Sequence, residues 1–415
     1  MKVLVIGSGG REHAIVDALA RSPKVSGIYC APGNAGTGDQ AVNVLLKDTD
    51  VEGLKAFALE NSVDLTVVGP EAALAAGIVD AFRAAGLRIF GHTKAATAIE
   101  SSKEFAKKLM DKYGVPTAAY RSFSDYEEAL EYVSGRTFPA VLKYDGLAAG
   151  KGVVIAENEM QAREALASML LDHSFGQGRV VVEDYLEGPE FSFMCFVDGE
   201  RVYPMPLAQD HKRAFDGDRG PNTGGMGAYT GLPFISDEDK EFAFREIMCR
   251  TASAMASEGF PLSGVLYGGL MKTADGVKVI EFNARFGDPE TEVVLPLLES
   301  DITDVFCAVA DNRPGPELKW SDAVSIGVVL ASKGYPGAYS KGFEITLPQL
   351  PEGMRLYQMG TSTKDGRLLT AGGRVLMPVC KGADLHEART RVYEIVEQVG
   401  CENLFYRSDI AHQAL

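Results

Sequence analysis

The first hundred residues alternate short β-rich runs with helical patterns: KVLVIG (2–7), a helix from about Glu12, GIYCA (27–31), a helix near 51–61, DLTVVG (64–69), a helix near 72–85, and RIFG (88–91). That order describes a parallel α/β sheet with crossover helices. Ligands of such sheets collect beyond the carboxyl ends of the strands, where this chain carries GSGGRE (7–12), APGNAGTG (31–38) and GPE (69–71).

The 415 residues allow two to four compact units at roughly 150 residues each. A helix near 102–113 stops at Gly114, with Pro116 beyond it. From about 119 to 187 the order becomes strand, helix, two strands joined by a glycine loop (AVLKYDG and GVVIA), helix and strand, a small α+β module inserted into a larger unit. The larger unit, residues 102–118 and 188–320, resumes with FSFMCFVDG and RVYPMPLAQ, a hairpin turned at Asp198 and Gly199. It continues through a glycine-rich segment without periodicity (215–231), a helix near 236–258 and a second hairpin (264–282) turned at Asp275 and Gly276. Residues 321–415 add short strands and one helix near 383–399.

A net charge of −16 argues against nonspecific nucleic-acid binding, which needs a basic face. No run of about 18 apolar residues offers a membrane span. The start MKVLVIGSGG reads as a strand, not a signal peptide, because its apolar part ends at Ile6 in a glycine turn. Six cysteines without CxxC spacing point to reduced thiols in a cytoplasmic protein.

GSGGRE follows a strand and opens a helix, where backbone N–H groups bind phosphate. The dinucleotide fingerprint is incomplete: Glu12 stands where GxGxxG needs glycine, and no acidic residue ends the second strand. That spacing favours a small phosphate ester over a nicotinamide cofactor, with a plain tight turn as the bland alternative. GLAAGKG (146–152) fails as a P-loop on spacing and on Gly152, and reads as a hairpin loop whose amides, including Gly150, and Lys151 close over ATP phosphates. Lys143 sits in the apolar run AVLKYDG, where a charge needs a partner, and a phosphate supplies one. Lys103 reads equally as a solvated helix lysine. In VIEFNARFGDPET (279–291), alternation puts Glu281 and Asn283 on one strand face as hard oxygen ligands for nucleotide-bound magnesium. Arg285 shares their parity and can fork a carboxylate, while helix capping alone would explain Asp288 and Glu290. QDHKR (209–213) groups Asp210, Lys212 and Arg213, with a solvated charge run as its bland reading. His13 and His211 have no partner at metal spacing.

Taken in order, VIGSGGREHA, APGNAGT, VGPEAAL, LKYDGLAAGKGV, QDHKR, GPNTGGMGAY, LYGGLM, EFNARFGDPET and AGGRVL resemble the glycinamide ribonucleotide synthetase family of ATP-grasp ligases along essentially the whole chain. The resemblance implies a multidomain α/β and α+β fold: a pre-ATP-grasp parallel-sheet domain (1–101), a central ATP-grasp domain (102–118 and 188–320), a lid (119–187) and a small α+β carboxy-terminal domain (321–415). It implies ligation of glycine to 5-phosphoribosylamine through glycyl phosphate, with ATP and Mg2+ or Mn2+, and transient contact with neighbouring pathway enzymes as a further expectation. Carried over by position, Lys103 and Lys143 hold phosphates, Glu183, Tyr185, Leu186 and Glu190 the nucleoside, and Glu281 with Asn283 the metal. Arg285 and Asp210 orient glycine, Gly9, Gly10 and Asn34 receive the phosphoribosyl group, and Glu71, Lys212, Arg213 and Asp288 line the substrate side. The chain departs from the family at Tyr144, His92 and Lys94, which affects packing or ligand access, and LYGGLM offers no carboxylate for a second metal.

Overall fold

The computed structural model describes residues 1–146 and 152–415. Its amino-terminal part is a five-stranded parallel sheet in the order Val42–Asn43, Gly27–Pro32, Lys2–Gly7, Leu65–Val68, Ile89–Phe90. The strands are apolar on both faces because both are covered. Leu4 and Ile6 join Leu54, Leu74 and Phe82, whereas Val3 and Val5 join Ile15, Leu19 and Phe306. Winding reverses at Lys2–Gly7, so a crevice lies beyond Gly7. The helical stretch near 72–85 is two helices, Glu71–Ala76 and Ile78–Ala84, because Gly77 takes a left-handed conformation (φ 89°) between them.

The inserted module is a four-stranded antiparallel sheet, ordered Tyr120–Phe123, Val180–Asp184, Ala140–Tyr144, Val153–Ala156. Helices Tyr126–Ser134 and Glu159–Leu166 pack against it through Val133, Ala162 and Leu166, with Leu142 and Val182 beneath. Tyr144 belongs to this packing: a Cβ on Gly178 would lie 2.7 Å from its ring, so the large side chain fits because Gly178 has none.

The remaining large sheet is antiparallel and eleven-stranded, and its main path runs Gly276–Asn283, Ser263–Thr273, Glu190–Asp198, Ala208–Asp210, Gly227–Thr230, Val324–Val328, Arg374–Gly382, Leu330–Ser332, Leu404–Phe405. Val324–Val328 pairs with Gly227–Thr230, so the sheet runs unbroken across residues 320–321, where sequence suggests a domain boundary. Both hairpin turns sit one residue from their expected places: pairing of Asp198 with Arg201 and of Thr273 with Gly276 leaves Gly199–Glu200 and Ala274–Asp275 in the turns. The glycine-rich segment contains strands Arg219–Asn222 and Gly227–Thr230. Positive φ at Gly220, Gly225 and Gly227 breaks the regular alternation that would have announced them.

Candidate active site

The strand Gly276–Asn283 has a bulge: Glu281 pairs with Gly269 and Val279 with Leu270, leaving Ile280 as the extra residue. Val277 and Val279 are buried before it and Phe282 after it, so the bulge takes Glu281, with Asn283 on its own face, off the valine face. It also frees the Ile280 carbonyl, which accepts a hydrogen bond from Lys143 Nζ at 2.8 Å. Lys143 is buried beside Glu183, Nζ to Oε1 3.0 Å, and Lys107 Nζ lies 2.9 Å from the other oxygen of Glu183. Breaking such a buried pair from one side costs roughly 3–5 kcal/mol. Lys103 Nζ donates to the Gly146 carbonyl at 3.0 Å. Burial lowers the Lys103 pKa, Glu281 raises it and Lys143 lowers it, which places the three groups together.

Arg285 does not pair with Asp288 or Glu290, the neighbours a loop-fixing role would require. Its Nε lies 3.4 Å from Glu100 and 3.5 Å from Glu71, in the amino-terminal part. These are long contacts, and Nε makes no aligned hydrogen bond. Glu100 is buried and accepts from the Ala284 N–H at 2.7 Å, fixing the backbone before Arg285. Burial raises the Glu100 pKa against the pull of Arg285; for Glu71 burial also pushes upward, but Arg285 and Arg11 bring it below the usual range.

Next to this ion cluster the helix Gly10–Ala20 begins. Glu12 accepts from Gly9 N at 2.6 Å and pairs with Arg11 Nε at 2.6 Å, while Arg11 Nη1 donates to the Phe286 carbonyl at 3.1 Å. A Cβ on Gly69 would lie 1.9 Å from Glu12 Oε1, so the glycine of GPE makes room for that carboxylate. Asn34 Nδ2 donates to the Ser8 and Gln358 carbonyls at 2.8 Å, and its Oδ1 accepts from Gly36 and Thr37. Its side chain is spent on backbone groups, so Asn34 shapes the crevice beyond Gly7 instead of reaching into it.

On the other side of the strand Glu190–Asp198 the charge inverts. Lys212 Nζ lies 2.5 Å from Glu190 and 3.9 Å from Asp210. Burial, opposed by Lys212 and assisted by Glu290 and Glu190, pushes the Asp210 carboxyl up to about 7. Glu290 is buried and held at one oxygen by Ser192 Oγ (2.7 Å) and Tyr267 OH (2.8 Å). Arg213 donates to the Gly220 carbonyl at 2.9 Å, across its own hairpin. Asp288 pairs with Arg374 Nη1 at 2.8 Å, and a Cβ on Gly9 would lie 3.4 Å from Asp288 Oδ2, which puts this carboxylate at the GSGG turn.

Comparison with known proteins decides the family. Residues 1–100 match the phosphoribosylglycinamide synthetase N domain, residues 101–291 its ATP-grasp (A) domain and residues 325–413 its C domain. The chain belongs to the phosphoribosylglycinamide synthetase family. The phosphoribosylamine–glycine ligases of Halalkalibacterium halodurans and Vibrio parahaemolyticus are 52% and 48% identical to it over 100% of this chain, covering 97% and 99% of those proteins. The crystal structure of the phosphoribosylamine–glycine ligase of Thermotoga maritima superposes with a TM-score of 0.86 at 34% identity, covering 99% of this chain and 100% of that one. A Campylobacter jejuni biotin carboxylase, 15% identical with a TM-score of 0.76, shares the fold over 98% of this chain and 92% of its own.

Within this ATP-grasp family the donor set fits a divalent cation: Glu281 and Asn283 offer hard oxygens on one face, and among the described residues Glu281 has no ion-pair partner within 4 Å. Glu183 was expected at the nucleoside, but its carboxylate is committed to two lysines. Tyr185, exposed, and Leu186, half-buried, follow it at the strand end. Gly150 and Lys151 lie outside the described residues. Sequence reasoning missed Lys107, Glu100, Arg11 and Arg374; Arg11, inside GSGGRE, and Arg374, inside AGGRVL, fell in motifs singled out, and the other two in none. His211 does have neighbours in space, Asp218 and His412, all within 4.8 Å. Its Nε2 accepts from the Ala411 N–H at 3.0 Å, so Nδ1 carries the proton and no lone pair remains for a metal. His92 is likewise structural, with Nδ1 accepting from Ser263 N and Nε2 against the Val265 carbonyl, both at 2.9 Å.

Proposed function

We propose that the chain carries out its family's ligation, joining glycine to 5-phosphoribosylamine, through a glycyl phosphate intermediate. The reading rests on the position of Arg285, two residues beyond Asn283 on the same face and reaching Glu71 and Glu100 of the amino-terminal part. A guanidinium there is influenced by Arg11, from the helix that GSGG opens, and by Tyr267, which also holds Glu290 near Asp210.

In the first half-reaction Arg285 holds the glycine carboxylate and Asp210 its ammonium, so one carboxylate oxygen faces the γ-phosphoryl group. That oxygen bonds to phosphorus as the bond to the β-phosphate bridging oxygen breaks, while Lys103 and Lys143 take up the charge on the phosphoryl oxygens. Glu281 and Asn283 would hold magnesium or manganese, which when bound spreads the phosphate charge. In the second half-reaction the amine of phosphoribosylamine, its phosphate at the Gly9–Gly10 helix start, attacks the acyl carbon. The C–N bond forms, the acyl phosphate C–O bond breaks, phosphate leaves and the amine loses a proton. Glu290, fixed by Ser192 and Tyr267, sits close enough to Asp210 to raise its pKa and serves as a second acidic wall of the amine pocket. No helix among the described residues is long and apolar enough to cross a membrane, and six free thiols fit a cytosolic setting.

Release of ADP with ATP, glycine and phosphoribosylamine generated in situ, each omitted in turn, tests the reading. Sustained turnover should require all three. Sustained ADP release without glycine would overturn it.

A further inference from the structure

We infer that Lys107 is a positioning residue for phosphoryl transfer: from the helix Lys103–Tyr113 it holds the Glu183 carboxylate, so that Lys143, on the other oxygen, can turn to a phosphate. This rests on the assignment of Lys143 to the phosphates. Lys107 is buried where the chain crosses into the inserted module. Its Nζ donates to Thr117 Oγ1 at 2.8 Å and to the Ala118 carbonyl at 3.3 Å, besides the 2.9 Å ion pair with Glu183. Thr117 Oγ1 donates in turn to the Val279 carbonyl at 2.7 Å, next to the bulge residue Ile280 whose carbonyl receives Lys143. Lys107 and Lys143 therefore reach Glu183 from two elements, and both connect to the backbone of the metal-ligand strand.

Two lysines on one buried carboxylate leave one positive charge over. Beside its 3.0 Å ion pair with Glu183, Lys143 makes one hydrogen bond, to the Ile280 carbonyl, whereas Lys107 adds two, to Thr117 Oγ1 and the Ala118 carbonyl, to its own 2.9 Å pair. The ammonium with fewer anchors, Lys143, is the one that moves toward an incoming anion. Without Lys107, its departure would strand Glu183 as an unpaired buried carboxylate, so Glu183 would retain it.

The groups facing Lys107 are Glu183 and Lys143 from the inserted sheet, Thr117 and Ala118 from the crossing, and the Tyr120 ring at 5.5 Å. Burial outweighs Glu183 and brings the ammonium down to about 8. Deprotonation above that pH leaves Lys143 as the sole partner of Glu183, so turnover should fall there.

The test compares wild type, Lys107→Met and Lys107→Arg in turnover number, glycine Michaelis constant and melting temperature from pH 7 to 9.5. Lys107→Met should lose at least tenfold in turnover at pH 7, keep the glycine constant within twofold and lack the alkaline fall near pH 8. Lys107→Arg should retain turnover and move that fall upward. Turnover of Lys107→Met within twofold of wild type, or an alkaline fall unmoved in Lys107→Arg, overturns the inference. If Lys107→Met fails to fold, the Lys107→Arg profile decides alone. Inactive Lys143→Ala beside active Lys107→Met removes only this inference, whereas active Lys143→Ala removes the phosphate assignment beneath it.

Discussion

The two ends of the site are electrostatic opposites. At one end Lys103, Lys107 and Lys143 gather around Glu183 and Glu281, while at the other Asp210, Glu190 and Glu290 gather around Lys212. Neither end is balanced: one carries an excess of lysine and the other an excess of carboxylate. In the proposed reaction the lysine end takes phosphates and the carboxylate end an ammonium. Arg285, tied by long contacts to Glu71 and Glu100, is the proposed cation for the glycine carboxylate. A protein with a net charge of −16 thus gathers a local excess of lysine at the site proposed for ATP.

Breaking the lysine end should have the largest effect. Lys143→Ala is expected to lower turnover by roughly 10² to 10³, the cost of one preorganised electrostatic donor, and an unchanged turnover number at saturating ATP would take Lys143 off the catalytic path. At the carboxylate end, Asp210→Asn should raise the glycine Michaelis constant by roughly 10- to 100-fold, as expected for a charge-assisted hydrogen bond. Because the Asp210 carboxyl is pushed up to about 7, wild-type glycine binding should strengthen as pH rises through 7, when the group ionises. A glycine constant with the same pH profile in both proteins would show that Asp210 does not receive the ammonium. Between the ends, Arg285→Lys keeps the charge and loses the fork, so the glycine constant should rise and turnover fall by about tenfold, with the ATP constant little changed. Equal shifts for both substrates, with early melting, would make Arg285 a structural brace.

The smallest effect on catalysis comes from a group outside both ends. His92 is buried neutral, and burial depresses its pKa from 6.5 to about 4. In the unfolded chain it gains a proton below 6.5 that the folded chain refuses, so stability is full above 6.5, declines as pH falls toward 4 and loses on the order of 3 kcal/mol. His92→Asn should flatten part of the decline in melting temperature between pH 7 and 5 without changing glycine or ATP kinetics at pH 7.5. An unaltered slope would place the acid sensitivity elsewhere.

Much of this arrangement is legible in the sequence, for reasons that also mark its limits. Glycine turns after apolar runs announce the parallel sheet, and a lysine inside AVLKYDG announces an unmet charge. Its protein partner is not legible, because Lys107, Lys143 and Glu183 meet only when the inserted sheet folds back on its entry helix. Parity joins Glu281, Asn283 and Arg285, yet the same count would put them with buried Val277 and Val279; the bulge at Ile280 separates the two sets, and nothing in VKVIEFN marks it. Glu100 follows no glycine or motif, so only its hydrogen bond to Ala284 N reveals it. Asn34 shows the converse. A polar residue in a ligand-facing loop looked like a contact, but backbone groups use up its side chain.

Because Val324–Val328 hydrogen-bonds to Gly227–Thr230, division of the chain within residues 312–320 would not yield two self-sufficient proteins. The first fragment would end its sheet on Gly227–Thr230 and the second would begin on Val324–Val328, each baring a row of unpaired amides and carbonyls on a largely buried strand. Open apolar edges of that kind recruit further copies and seed insoluble material. Split forms of this ligase would therefore require co-expression, so that each half finds its complement before it finds itself.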